Sequence, residues 1–425
     1  MQDVGHRWAG VGAVMLAALV IRLGVAAWVD RTVAATPGRI CLIPGDAEGY
    51  WELGRRLARG EEYALYEPPR RVLRMPGLPL LLAASQRIWG ESVWPARCLL
   101  ATIGALACGL VYWLGGELAN RSVGWWAAAA TACSPALAVF SPLLLTETPF
   151  ATAMLASLIA WAKLWTPAER CRPGTALAAG GLSAVATYLR PTWLPIAPLA
   201  AVWLIARAPR HRGAWCEGLL AVGILGAALF PWAWRNHGVT GHWVATTLWV
   251  GPSLYDGLRP GANGDSDMRF FDEDRLLDRM SEYEMDQEYR RRAWAFVAAE
   301  PFTAVRLAGR KALRYWSVIP NADQFRHPWI IAGLAATTLS LYFGAVWGLI
   351  GQRKNVRLCV MTTFPVLFFA AVHMVFVGSI RYRLPAEYPL WILAAAGFHD
   401  VWQRWRTWTA GRTLGDPELS PRTGG

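Results

Sequence analysis

The sequence predicts an all-α polytopic membrane protein, and three observations carry that expectation. Hydrophobic residues make up 54% of its 425 positions, more than a soluble chain of this length usually carries. Apolar runs long enough to cross about 30 Å of hydrocarbon, roughly 20 residues each, recur along the chain. The 25 tryptophans suit the membrane–water boundary, where an amphipathic ring finds both of its solvents.

Spans are expected at 8–29, 96–118, 123–140, 149–165, 174–189, 192–205, 215–234, 329–350, 358–377 and 388–402, about ten in all, the sixth and tenth being the shortest. The first resembles a leader with a cleavage site at Val33-Ala-Ala35, but its apolar region is too long for one and reads as an uncleaved anchor. Alternate short loops carry Arg121, then Lys163, Arg170 and Arg172, then Arg207, Arg210 and Arg212, then Arg353, Lys354 and Arg357, and these sides are expected to be cytoplasmic. The turn 134–148 has no basic residue and faces outward, which places both termini inside, the last with Arg404 and Arg406. The net charge of +12 is thus mostly topology, and no nucleic acid is implied. Seven cysteines are scattered without a CxxC pair, so neither a disulfide framework nor a zinc site is expected.

Along the chain, the first outer loop, 30–95, holds Asp46 at the head of a short helix pattern with Tyr50, Leu53 and Leu57 at helical spacing. Arg74-Met-Pro-Gly-Leu-Pro then turns the chain back towards apolar sequence, and 84–91 reads as a partly buried surface helix. Ser141-Pro-Leu-Leu-Leu-Thr-Glu147-Thr-Pro sets an ionisable group at the outer membrane edge among apolar neighbours, a functional candidate by position. The fifth span ends outside at Tyr188-Leu-Arg190-Pro191, and the seventh at Pro231-Trp-Ala-Trp-Arg235-Asn236. In the second large outer loop, 236–328, the stretch around Gly251-Pro-Ser-Leu-Tyr-Asp256 reads as loop. Residues 272–316 read as amphipathic helices split at Pro301 and lying on the interface. The last outer turn is Gly378-Ser-Ile-Arg381-Tyr-Arg383-Leu-Pro. One membrane domain, 1–405, is expected, followed by a cytoplasmic tail, 406–425, disordered from Thr409.

The outer face therefore collects Asp46, Glu147, Arg74, Arg190, Arg235, Arg381 and Arg383, each where a span meets a loop. Guanidiniums bind phosphate through paired hydrogen bonds, and a phosphate at this depth most economically belongs to a lipid. Such a set suits transfer of a sugar from a lipid phosphate to a hydroxyl: phosphate leaves once cations stabilise it, so one base suffices, unlike the two carboxylates of a glycosidase. Asp46 is the candidate base; Glu147 could position the acceptor or sugar, or share a proton or divalent cation with Asp46.

In their order, Asp46 with Tyr50, Arg74-Met-Pro-Gly-Leu-Pro, Leu145-Thr-Glu147-Thr, Leu189-Arg190-Pro191, Pro231-Trp-Ala-Trp-Arg235-Asn236 and Arg381-Tyr-Arg383-Leu-Pro resemble bacterial membrane glycosyltransferases of the GT-C superfamily. The nearest branch is glycosyltransferase family 39 in type, that of protein mannosyltransferases and aminoarabinose transferases. The resemblance runs from Trp8 to about Trp402 and implies a GT-C-like bundle with outer-surface amphipathic helices. It assigns the base or acceptor contact to Asp46, the second acid to Glu147 and the lipid-phosphate contact to Arg74. It further implies an inverting enzyme of a bacterial inner membrane whose site faces outward. The expected partners are a polyprenyl-phosphate sugar donor, a lipid, glycan or protein acceptor, and membrane lipids. Many relatives have two adjacent acids where this chain has Asp46-Ala-Glu48, which leaves either acid as the base.

Blander roles compete. Asp46 suits a helix N-cap, Glu147 a cap of the fourth span beside Thr146 and Thr148, and the terminal arginines could snorkel to headgroups. Asp265-Ser-Asp267 lacks the strand–helix context of a nucleotide-sugar motif and reads as an acidic loop. His237 and His242 have no third ligand in view, and no metal site is assigned. A transporter with charges at mid-membrane and an oligosaccharide ligase using a lipid diphosphate are the alternatives in function.

Overall fold

A chain in hydrocarbon must satisfy its backbone hydrogen bonds internally, and among the described residues every regular element is a helix. The computed structural model describes residues 2–43, 45–320 and 327–413, with side chains from 10 to 407 within those ranges. α1 (Gln2–Ala34) leads into a long first connection with α2 (Asp46–Arg59) and α3 (Gly77–Trp89). There follow α4 (Val93–Leu118), α5 (Arg121–Cys133), α6 (Pro135–Phe140), α7 (Glu147–Leu164), α8 (Pro173–Leu189), α9 (Ile196–Arg207) and α10 (Arg212–Thr240). A second long connection builds α11 (Val250–Gly257), α12 (Arg269–Asp274), α13 (Glu282–Ala299) and α14 (Pro301–Trp316). α15 (Pro328–Gly351), α16 (Val356–Val375) and α17 (Leu384–Thr413) complete the chain.

Five of these are long and apolar enough to cross a membrane, namely Gly10–Ala34 of α1, α4, α10, α15 and α16, as a multi-pass membrane protein requires. The other expected spans are helical but shorter, interrupted or more polar, so length and composition establish fewer than ten crossings. α17 runs on to Thr413, past the expected start of the tail, and the rest of that tail, 414–425, lies outside the described residues. The split at Pro301 falls where the sequence puts it, between α13 and α14. The stretch 250–257 is a helix, not the expected loop. Pro252 stands in its first turn, where a missing N–H costs nothing, and Gly251 donates to the Asp286 carboxylate at 2.6 Å.

One charge lies deep in this apolar body. Arg22 of α1 is fully buried and bonds no carboxylate: it donates to the carbonyls of Ala18 (3.3 Å), Thr131 (3.2 Å) and Ala132 (3.3 Å) and to Ser141 Oγ (3.0 Å). The cause sits in α5. Pro135 has no N–H to return to Thr131, four residues back, so the carbonyls at the α5–α6 break need another donor. Sequence reading takes Arg22 for part of an anchor; the structure makes it a cap.

The cysteine expectation needs correction: Cys171 and Cys216 form a disulfide, with 5.8 Å between Cα atoms. No local spacing marks the pair. It arises because α8 and α10 pack closely, Gly180 lying so near the Ala221 carbonyl that a Cβ there would come within 2.2 Å of its oxygen. Beside the bond, Arg172 closes on the fully buried Glu217 at 2.6 and 2.9 Å.

Two outcomes are expected. Arg22→Ala costs about 3 kcal/mol in detergent unfolding, and Pro135→Ala in that background returns about 1 kcal/mol by restoring an N–H to Thr131; strictly additive effects would dissociate the two. The Cys171–Cys216 bond predicts that alkylation of intact cells, read by mass spectrometry, leaves both unlabelled until a reductant is added; labelling of both without one would show the pair to be free, as a reducing cytoplasmic side requires.

Candidate functional site

The site is assembled from the ends and turns of four segments. Gly45 occupies the N-cap of α2, and its N–H donates to Glu48 Oε2 at 3.2 Å, so Glu48 closes the first turn while Asp46, one residue inside, is left to other partners. Those partners are two guanidiniums. Arg74 Nη2 meets Asp46 Oδ1 at 2.5 Å and Arg381 Nη1 meets Oδ2 at 3.0 Å.

Arg381 stands in the single helical turn Ile380–Tyr382 between α16 and α17. Its Nε also donates to Glu147 Oε1, so one guanidinium spans both acids. Glu147 is the first residue of α7 and is 2% exposed. Its Oε1 takes a further bond from Arg190 Nη2 at 2.7 Å, and its Oε2 is buried without a partner. Arg190 reaches that place because α8 ends at it, and its Nε donates to Thr146 Oγ1 at 2.9 Å. Gly77 brings the two halves together: a Cβ there would lie 2.6 Å from the Tyr188 carbonyl oxygen, so α3 rests on the last turn of α8.

Burial pushes the Asp46 carboxyl up, but Arg74 and Arg381 outweigh it and hold the group well below the ordinary carboxylate range. Burial pulls Arg74 and Arg381 down, and their carboxylate partners more than reverse it. Three guanidiniums thus face two carboxylates, leaving an excess of one positive charge.

The cluster backs onto a cavity of about 670 Å³. Asp46, Tyr50, Arg74 and Tyr382 line its near wall, whereas Glu147, Arg190 and Arg381 stand behind them. Tyr50 lies under Arg74, with the ring centroid 5.1 Å from the guanidinium carbon. Of the two clustered acids, Asp46 is therefore the one that a bound molecule meets. Among the described residues no three potential metal ligands converge, and a cation between the two carboxylates would have to displace Arg381.

Two predicted arginines lie elsewhere. Arg235 donates to the Arg71 carbonyl (2.7 Å), the Tyr63 carbonyl (3.2 Å) and Asn236 (2.9 Å), pinning the first outer loop to α10. Arg383 is 2% exposed and bonds Glu387 (2.7 Å) and the carbonyls of Tyr315 (2.6 Å) and Ser317 (2.9 Å), tying α14 to α17. Asp265 and Asp267 pair with Arg314, Arg259 and Arg269, as an acidic loop would, and His237 and His242 stack on Trp243 and Tyr283.

Sequence reasoning missed other lining residues: Arg70, Trp249, Asp256, Phe271 and His373 all face the cavity. His373 stacks on Tyr382 with centroids 4.1 Å apart. Tyr382 stands between the two arginines of the last outer motif and was the one legible signal. The others come from a stretch read as loop or, for His373, from inside an apolar run.

With this geometry in place, comparison with known proteins is informative. Residues 72–234 match the profile of the dolichyl-phosphate-mannose-protein mannosyltransferase family. No curated protein sequence matches the chain. The oligosaccharyltransferase of Archaeoglobus fulgidus tethered with an acceptor peptide superposes with a TM-score of 0.59 at 12% identity, over 96% of this chain and 52% of that one. The same archaeal enzyme, AglB, in complex with an inhibitory peptide and a dolichol-phosphate, gives 0.59 at 13% identity with the same coverage. ArnT of Cupriavidus metallidurans bound to undecaprenyl phosphate gives 0.45 at 14% identity, over 98% of this chain and 82% of that one. The chain spans about half the length of the archaeal structures. Over residues 72–234, about two fifths of its length, it carries the profile of that mannosyltransferase family, and as a whole it has the GT-C fold.

Proposed function

We propose that this chain is an inverting glycosyltransferase that moves a sugar from a polyprenyl-phosphate-linked donor to an acceptor hydroxyl at the outer face of a bacterial inner membrane. The single observation that carries it is Arg381 holding Asp46 and Glu147 together behind a cavity into which Asp46 and Arg74 both open. The dolichol-phosphate bound by the archaeal enzyme of the same fold, and the lipid-linked donor in the name of the matching family, support a lipid phosphate as the ligand.

The chemistry follows from the charges. The acceptor oxygen attacks the anomeric carbon as the bond to the phosphate oxygen breaks; the hydroxyl proton passes to Asp46, and the phosphate leaves as an anion held by Arg74. Direct displacement at one carbon inverts it. At rest Asp46 is clamped by two cations and is a weak base. A phosphate that takes hydrogen bonds from Arg74 loosens one side of the clamp, so the base gains strength as the donor is seated. Glu147, engaged by Arg190 and Arg381, keeps Arg381 in place and does not touch the cavity.

Three measurements bear on this. Asp46→Asn, with folding intact, abolishes transfer in a radiolabelled-donor assay; unchanged turnover removes Asp46 from the mechanism. Arg74→Ala raises the donor KM by about tenfold or more, and an unaltered donor dependence dismisses its phosphate role. The pH profile tests the clamp. Because the folded-state value of Asp46 is depressed, the carboxylate and its ion pairs persist from neutral pH down past the ordinary carboxylate range and are lost only as pH falls through that depressed value. Arg381→Gln removes one opposing charge, leaves burial less opposed and moves the acid limb of residual kcat/KM up by about one unit or more; an unmoved limb separates Asp46 from that limb.

A further inference from the structure

Arg70 differs from every other arginine around the cavity. Its neighbours in sequence are ion-paired, Arg71 to Glu62 and Arg74 to Asp46, whereas the Arg70 Nε is buried without a hydrogen-bond partner. What surrounds its guanidinium is aromatic: the ring centroids of Phe271, Tyr66 and Trp249 lie 4.2, 4.5 and 5.3 Å from its central carbon. Such rings hold a guanidinium by its face and leave the N–H groups at its edge unused. The side chain is half-buried and lines the cavity, as do Trp249 and Phe271. Its position is fixed from the backbone, where Arg70 and Leu65 exchange hydrogen bonds of 2.8 and 3.1 Å. Burial lowers its proton affinity more than Tyr66, Asp272 and Glu282 restore it, yet a guanidinium stays charged at neutral pH. A fixed, charged donor with free edges and no anion of its own, facing a cavity, is the receiving half of an ion pair.

We infer that Arg70 is a second anion-binding point of the cavity, distinct from Arg74, and that the substrates together present two anionic groups of phosphate or carboxylate type. This rests on the proposal that the cavity holds a lipid-phosphate donor at Arg74. The second anion has two sources, the outer phosphate of a lipid diphosphate or a charged group on the acceptor, and the count of bound phosphates separates them. With one phosphate at Arg74 and a second at Arg70, the site takes a diphosphate; with one alone, Arg70 serves the acceptor.

The test uses the full-length protein in nanodiscs and three probes: polyprenyl phosphate, polyprenyl diphosphate and inorganic phosphate. Binding is measured to the wild type, Arg70→Ala, Arg70→Lys and Arg74→Ala. If Arg70→Ala weakens the diphosphate by about tenfold and spares the monophosphate, the second anion is the donor's own. If it spares both lipids but abolishes the additional binding of inorganic phosphate to lipid-loaded protein, the second anion belongs to the acceptor. Arg70→Lys, which keeps the charge and loses the planar fork, recovers part of either effect. The inference is overturned if Arg70→Ala changes none of the three with thermal unfolding unaltered. It is equally overturned if the variant weakens the monophosphate as much as Arg74→Ala does, since the two arginines would then share one phosphate. Failure of the wild type to bind either lipid, with inorganic phosphate still lost in Arg70→Ala, removes the donor proposal and leaves the Arg70 site standing.

Discussion

The candidate site depends on one guanidinium placed between two carboxylates. Asp46 comes from the head of α2, Glu147 from the head of α7 and Arg381 from the turn before α17, three segments far apart along the chain. Removing one member of a buried ionic set leaves the others uncompensated, at a cost of roughly 3–5 kcal/mol, so each acid requires the arginine and the arginine requires both. Glu147 is the more committed of the two acids, being almost fully buried and bound by Arg190 as well. Asp46 is less enclosed and opens onto the cavity, so the same network contains one anchored end and one accessible end.

The arrangement turns a membrane constraint into a binding site. Long charged side chains cannot sit among lipid tails, so they gather where helices end. Here α2 and α7 begin at an acid, α8 ends at an arginine, and the break between α16 and α17 supplies another. Close backbone approach, as at Gly77 on α8, then draws those termini to one place. The surplus positive charge left by three guanidiniums against two carboxylates makes the place receptive to an anion before any ligand arrives. Arg70 adds a further cation to the lining of the same cavity, held by rings in place of carboxylates.

Much of this is legible in the sequence, for an identifiable reason. Helices are set by the length and apolarity of runs, and the candidate acids by their unusual place at the edge of such runs; both signals are local. What stayed hidden is the destination of each arginine, which depends on partners far away in sequence. Arg235 and Arg383 look like Arg190 and Arg381 from their neighbours alone, yet they serve the carbonyls of 63, 71, 315 and 317. Arg22 is invisible inside an apolar run until Pro135 frees a carbonyl more than a hundred residues away. The Cys171–Cys216 bond and the α11 wall of the cavity likewise follow from packing between segments, which no spacing rule records.

The partners themselves sort the arginines by what they can do. A guanidinium bonded to backbone carbonyls, as Arg22 and Arg235 are, cannot be drawn away cheaply, because the carbonyls it leaves would be buried and unpaired. One bonded to a carboxylate beside a cavity is different: an incoming phosphate offers it an equal partner, and the abandoned carboxylate becomes a stronger base instead of a buried fault. Arg74 is in that second position, four residues from Arg70 and touching the acid that opens to the cavity. Exchange of its partner is therefore the one rearrangement in the network that binding could drive at little cost, and it acts on the side chain best placed to take a proton.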